Sequence, residues 1–420
     1  MKRTMKVVVF IALVAMLAGL AACNSDGDSP HSQGVTDDTI YVGNTAAVSG
    51  AAAGVGIPFI EGMQAYFYRV NNAGGVHGRN IEFVHHDDGF EAVTGMAYTE
   101  ALIHDDEVFA IVGHFGTPTV GATLDMLKDV GIPTVYFATG IGVLYNTEAH
   151  TVAQGQNLFP VQPLFAMEGR VLVARLVEEH DARRIGVIFT NDEAGLDMMS
   201  GINTQANIIP GVTIYSEQIA PLQADVSSAV LRMIAEDVDA VIVAAIQFTL
   251  PIVVNSMVAQ GLDVPVITSY VSADATTLAG FMADYVGAGA SFPIYTTGWL
   301  SLFTADGGFE DEFVDFMNGM VEFGQEDLAG NAFAIAGWVA SSVFVQGLRA
   351  MDGDSITWDA YIEALENIIV DLPMGGVMNF AGGQRTGTGA MLLNVANMEE
   401  GVWEVVRPIE TLDDIMGRIN

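Results

Sequence analysis

The segment His114-Phe115-Gly116-Thr117-Pro118-Thr119 follows an apolar run, Phe109 to Val112, and opens a helical pattern. Thr117 is placed to act as N-cap and Pro118 as the first helical residue, where a missing N–H costs nothing. The free amides of such a turn, with the positive end of a helix dipole behind them, suit a carboxylate. Gln247-Phe248-Thr249-Leu250-Pro251 repeats the pattern after the run Ala240 to Ala244. From the residues alone, two plain helix caps are as good a reading as two ligand contacts.

Other chemistry-bearing clusters carry less. Gly54-Val55-Gly56 lacks the third glycine and the spacing of a dinucleotide turn. In His85-His86-Asp87-Asp88 neighbouring side chains of a strand point to opposite faces, which fits a polar strand end better than a metal site. His104-Asp105-Asp106-Glu107 reads as a solvated helix terminus. The sequence contains no Gly-x-Ser-x-Gly elbow and no phosphate loop, so catalysis, a metal and a cofactor are not expected.

The elements that must position these turns alternate. Strands are expected at Ile40 to Asn44, Ile81 to His85, Phe109 to Val112, Thr134 to Phe137, Ile185 to Phe189, Val212 to Ser216, Ala240 to Ala244, Val266 to Thr268 and Phe292 to Thr296. Helical periodicity lies between them: Pro58 to Val70 aligns Phe59, Met63, Phe67 and Val70, and Val226 to Ile234 follows an N-cap at Asp225. Such alternation predicts an α/β fold of doubly wound parallel sheets with ligands at the carboxyl ends of the strands. Gly140 to Pro163 breaks the rhythm, and the helix Leu164 to Glu179 restarts it, so this stretch reads as a crossing between two lobes.

The N-terminus says where the chain works. Lys2, Arg3 and Lys6 precede an apolar run from Val7 to Leu20, too short to span a bilayer comfortably, and residues 1–22 read as a signal peptide. Leu20-Ala21-Ala22-Cys23 resembles the lipobox of prokaryotic lipoproteins, in which the Cys carries the lipid, and Cys23 is the single cysteine. Residues 23–34 are expected to form a flexible tether. No other apolar stretch of membrane-spanning length is apparent. With 15 Lys and Arg against 51 Asp and Glu, the net charge is −36, which repels nucleic acid and resembles proteins that work in strong salt.

Asn44-Thr45-Ala46-Ala47-Val48-Ser49-Gly50, Glu61-Gly62, Asn71 to Arg79 (NNAGGVHGR), Asp87-Asp88 and Val112-Gly113-His114 resemble successive signatures of one family. It is the leucine/isoleucine/valine-binding type of ABC-transporter substrate-binding protein, the type I periplasmic binding proteins. Gly337 to Gly347 and Pro373 to Gly387 are similar to its late helix and final β region, and the resemblance runs from about Val35 to Val406. It implies two lobes joined by three hinge crossings: 35–157 plus about 297–370, and 158–296 plus about 371–420. It also implies ligand contacts at Ser49, at Phe115, Gly116 and Thr117, and at Ala138 and Thr139 in the first lobe. The second lobe departs from the pattern, with Ala194 where relatives place an aromatic and Tyr270 where they place the acid that pairs the ligand ammonium. Glu193 and Gln247 are its other expected contacts. A buried ammonium without an acid is costly, so either Glu193 substitutes or the ligand has no α-amine.

The expectation is therefore a monomeric, lipid-anchored, extracytoplasmic binding protein. It delivers a small amino-acid-like, carboxylate or amide ligand to ABC permease subunits. A ligand-sensing lipoprotein that signals to a membrane receptor is the alternative, and an enzyme such as an amidase a weaker one. The charge makes its own prediction: screening relieves self-repulsion, so the melting temperature should rise between low salt and molar potassium chloride. A value that stays level or falls would remove the high-salt reading.

Overall fold

The expected alternation becomes two sheets, each covered on both faces, in a computed structural model that describes residues 31–50, 52–246, 248–302 and 308–419. Cys23, the leader and Gln247 lie outside the described residues. The first sheet contains β1 (Thr39–Ala46), β2 (Asn80–Asp87), β3 (Ala110–Phe115), β4 (Thr134–Ala138) and β5 (Leu158–Phe159). Their order is β2-β1-β3-β4-β5, all parallel, with α1 (Ala53–Asn72), α2 (Ala92–His104) and α3 (Thr117–Val130) as crossovers. The apolar residues of α1 that share a face, Phe59, Met63, Phe67 and Val70, are all buried.

The second lobe begins with α4 (Phe165–His180) and continues through β6 (Arg184–Thr190), α5 (Glu193–Ile208), β7 (Thr213–Ile219) and α6 (Ser227–Ala235). It goes on through β8 (Ala240–Ala244), α7 (Thr249–Gln260), β9 (Val266–Thr268), α8 (Ala275–Gly287) and β10 (Ile294–Gly298). Asp225 stands one residue outside the α6 cap position and its carboxylate accepts the Ser227 N–H. The chain then returns to the first lobe as α9 (Asp311–Phe323), α10 (Ala332–Ala350), α11 (Trp358–Asn367) and the hairpin β11 (Ile369–Leu372) and β12 (Gly376–Asn379). It ends in the second lobe with β13 (Ala390–Asn397), β14 (Val402–Thr411) and α12 (Leu412–Ile419), giving the sheet order β14-β13-β10-β9-β8-β6-β7.

Three details differ from the sequence expectation. Phe159 and Val161 pack in the first lobe's core, as do Val370, Leu372, Met378 and Phe380, so the boundaries near 157 and 371 move to about 161 and 383. His31 to Gly34, assigned to the tether, are stitched to the fold: Ser32 N–H donates to Ile356 O, and Gln33 Nε2 to the carbonyls of Ile103 and Val108. α10 is long and apolar enough to cross a membrane, yet most of it is buried, because it is the central helix of the first lobe.

The crossings run through Phe159 to Phe165, Gly298 to Leu302 and Phe380 to Ala390. Arg385, 1% exposed, locks the third to the first, with its guanidinium 4.3 Å from the Phe159 ring centroid and 2.6 Å from Glu366 Oε1. Within each lobe, paired glycines let helix backbones touch. A Cβ on Gly62 would collide with the Ala334 carbonyl and one on Gly337 with that of Phe59, while Gly169 and Gly201 do the same between α4 and α5. Gly337→Ala should therefore destabilise the protein by about 1–3 kcal/mol through overpacking. A urea midpoint equal to the parent's would mean that α1 and α10 separate freely.

Candidate functional site

The first lobe's cavity-facing edge is made by an irregularity at the ends of β3 and β4. Val112 pairs with Val135 and His114 with Phe137, so Gly113 and Tyr136 are skipped on both strands, each with a positive φ (67° and 63°). A non-glycine residue held there costs about 1–3 kcal/mol and persists where its surroundings enforce it. Asn44 of β1 donates its amide to the displaced Val112 carbonyl at 3.0 Å, and the buried Tyr136 hydroxyl donates to Gln162 Oε1 at 3.0 Å.

Beyond this edge Gly116 (φ 89°) is the N-cap of α3, and Thr117 is its first residue with Pro118 after it. The expected Thr117 cap is thus displaced by one residue. The reason is that the turn needs a left-handed backbone and no Cβ: a Cβ on Gly116 would lie 2.9 Å from the Phe90 ring. Phe90, itself at φ 69°, is pinned by the buried Asp88 carboxylate, which accepts its N–H at 2.9 Å and the Thr119 hydroxyl at 3.0 Å. With capping done by the backbone, the Thr117 hydroxyl is free for Thr139, 2.8 Å away and 2% exposed. Two hydroxyls that share one hydrogen bond leave one O–H proton to donate. The Thr117 N–H, at the first helical position, has no intrahelical acceptor.

The second lobe contributes Tyr270, held at both ends. Its hydroxyl accepts from Gln162 Nε2 at 2.8 Å and donates to the Pro163 carbonyl at 3.1 Å. Its N–H donates to Glu168 Oε1 at 2.8 Å. Glu168 is fully buried on α4 and also accepts the hydroxyls of Ser269, at 2.6 Å, and Thr297. Burial pushes its carboxyl pKa up, while these three donors pull it down, and the net direction is upward.

Between these edges lies a cavity of about 690 Å³. Its walls are mostly apolar: Phe59, Phe90, Phe115, Trp299 and Phe333 from the first lobe, and Ile246, Phe248, Val271 and Trp403 from the second. Of the sequence-derived contacts, Phe115, Gly116, Thr117, Ala138, Thr139 and Tyr270 line it together. Ser49, Glu193 and Ala194 do not. Ser49 is exposed and its side chain donates to Asp87, whose carboxylate also accepts the Val48 N–H at 3.0 Å. Glu193 points to solvent and Ala194 packs in the second lobe's core. One turn on, Asp197 faces the first lobe, accepting the Gly142 N–H at 2.5 Å.

Sequence reasoning passed over Phe90, Gln162, Asp274 and Trp299, although Phe90 and Trp299 each follow a strand's carboxyl end, where ligands are expected. The aromatic and asparagine wall from Phe313 to Phe333 left no such signal. The histidine-aspartate run holds no metal geometry: His86 Nε2 pairs with Asp106 at 2.8 Å, His85 Nδ1 with Asn44 at 3.3 Å, and no metal-type cluster occurs among the described residues.

With this geometry in view, the comparisons with known proteins agree. A family model described as periplasmic binding protein matches residues 39–400. An amino acid binding protein of Pseudomonas aeruginosa is 23% identical over 268 residues, 64% of this chain and 67% of that protein. The Leu/Ile/Val-binding protein of Escherichia coli K12 is 20% identical over 203 residues, 48% of this chain and 53% of the relative, so the match spans about half of that relative's length. Among solved structures, a fatty acid ABC transporter substrate-binding protein from Thermomonospora curvata superposes with a TM-score of 0.76 at 19% identity, over 90% of this chain and 94% of the other. A branched chain amino acid ABC transporter protein from Thermus thermophilus with bound valine gives 0.74 at 14% identity, over 90% and 97%. At such identities these structures establish the fold.

The buried Glu168 carries a pH signature. A carboxyl raised in the folded state binds its proton more tightly there than in the unfolded chain, so it stabilises at low pH. That contribution is lost as pH rises from the ordinary value of 4.5 through the raised one. Glu168→Gln lacks the titration. The difference in melting temperature, variant minus parent, should therefore grow with pH across this window and level off above it. A difference independent of pH would mean that Glu168 titrates normally.

Proposed function

The chain belongs to the periplasmic binding protein family, and on that premise we propose that it is an extracytoplasmic solute receptor for an ABC importer. It captures a small carboxylate- or amide-bearing, amino-acid-like ligand and passes it to the permease subunits. Open and closed arrangements of the lobes exchange, and the ligand favours the closed one by bridging them. The observation that carries this reading is the single cavity on which Thr117 and Thr139 of one lobe and Tyr270 of the other converge. No reaction on the ligand is proposed, since the polar groups there are engaged in positioning the loops. Cys23 would hold the receptor at the membrane through its lipid, as a monomer.

The named relatives divide over ligand chemistry: amino acids for the Pseudomonas and Escherichia proteins, a fatty acid for the Thermomonospora one. Both classes share a carboxylate and an apolar body, and the hydroxyl pair supports a carboxylate end. Thr117→Ala should weaken every acid ligand by a similar amount, roughly 1–3 kcal/mol, as expected for a hydrogen bond to a charged group. Calorimetry of parent and variant against a series of acids checks this. Unchanged affinity for all of them would move the carboxylate elsewhere in the cavity.

A further inference from the structure

We infer that the ligand is an apolar carboxylic acid with no amino group on its α-carbon. This rests on the reading above that the cavity is a solute site, and it deepens that reading by excluding zwitterions. An α-ammonium brings three N–H donors and a charge, and burial is tolerated only where an acid and further acceptors receive them.

The described lining offers no acid that is not already engaged in the fold. Asp274, at the N-terminus of α8, is its one acidic side chain. Its carboxylate already accepts the Thr277 N–H at 2.9 Å, the Thr277 hydroxyl at 2.5 Å and the Thr276 N–H. Those three bonds take most of a carboxylate's roughly four acceptor sites and hold the α8 cap, so an ammonium at Asp274 would compete with the cap. Gln162 Oε1 takes the Tyr136 hydroxyl, and the Tyr270 hydroxyl takes Gln162 Nε2 while donating to Pro163. Asn331 Oδ1 accepts the N–H groups of Phe333 and Ala334. Glu193, the other acid expected from the sequence, is exposed on α5 and does not line the cavity.

Donors for an anion are nevertheless present: the spare proton of the Thr117 and Thr139 pair and the Thr117 N–H at a helix N-terminus. The described lining contains no Lys, Arg or His, so neutral donors rather than a cation meet the carboxylate. The remaining wall is aromatic and aliphatic, and about 690 Å³ is in the range of sites for ligands larger than one amino-acid side chain. An acyl chain or an arylalkyl group satisfies such a wall, and an amine does not.

The experiment is calorimetry at neutral pH on the whole mature chain with matched pairs that differ only in the α-amine. Leucine is set against 4-methylpentanoate, phenylalanine against 3-phenylpropanoate, and 2-aminooctanoate against octanoate. In each pair the des-amino acid should bind more tightly by roughly 100-fold or more, the expected penalty for a buried charge without a partner. Saturation at one ligand per chain and mutual competition between octanoate and 3-phenylpropanoate should accompany it. Equal or tighter binding of the amino acids overturns the inference, as does octanoate uptake without saturation. If the acids fail but the matching primary amides or other uncharged solutes bind, the acid class falls while the receptor reading stands. If no solute in a broad thermal-shift panel binds, both fall.

Discussion

The two lobes are joined by a buried line of hydrogen bonds from Tyr136 through Gln162 to Tyr270 and back to the Pro163 carbonyl. Tyr136 belongs to the first lobe, Gln162 and Pro163 to the first crossing, and Tyr270 to the second lobe. A buried polar group left unpaired costs about 1–3 kcal/mol, so the line favours one relative arrangement of its members. One of its members, Tyr136, has a backbone conformation that its Cβ disfavours, at the point where the β3–β4 register skips a residue. Glu168 extends the line into the second lobe. By gripping Ser269, Tyr270 and Thr297 together, it couples the cavity wall to the strand that leads into the second crossing.

The same saturation of polar groups determines what the cavity can recognise. Gln162, Tyr270, Asp274 and Asn331 all line the cavity, and the Gln162 amide, the Tyr270 hydroxyl, the Asp274 carboxylate and Asn331 Oδ1 each hold part of the fold through hydrogen bonds within the protein. Polar residues that build the walls are therefore poor ligand partners, because using them would undo a cap or the crossing. On the proposed reading, recognition falls to the start of α3 beside Thr139, where an O–H proton and a helix N-terminal N–H are to spare, and to shape and apolar contact elsewhere. The division follows from Gly116: by capping α3 with its backbone, it releases the Thr117 side chain for the cavity.

Much of this was readable in the amino-acid sequence. All nine expected strands exist within a few residues of their bounds, since each is a short β-branched or aromatic run between helical periods. The turn at Phe115 to Thr117 was readable too, because it is local, consecutive residues after a strand. What escaped was long-range. β5, with two residues, and the late strands carry too little periodicity to stand out. The displaced cap at Gly116 depends on the Phe90 ring, 26 positions earlier in the chain, and the wall at Phe313 and Phe333 depends on the chain returning to the first lobe. Ser49 and Glu193 came from family resemblance, and at both positions the side chain is engaged or directed elsewhere.

The scarcity of cations gives the acidic surface a structural counterpart. Arg175 is wholly buried between Glu178 and Glu410 at 2.8 Å each, and Arg418 bonds both acids from outside, tying β14 and α12 onto α4. Arg385 is likewise buried at the third crossing. Mobile ions screen exposed charges within about 8–10 Å at ordinary ionic strength but reach buried pairs far less. Added salt should thus weaken the repulsion among the many surface carboxylates while leaving the pairs that join the segments nearly intact. Arg69, Arg183, Arg232 and Arg407 instead sit in exposed pairs that the same salt weakens, each worth little in water, so the larger effect is the screening of the surplus carboxylates. The surplus of 51 Asp and Glu over 15 Lys and Arg sets the expected sign of the salt response, and the burial of Arg175 and Arg385 keeps two ties between segments largely out of its reach.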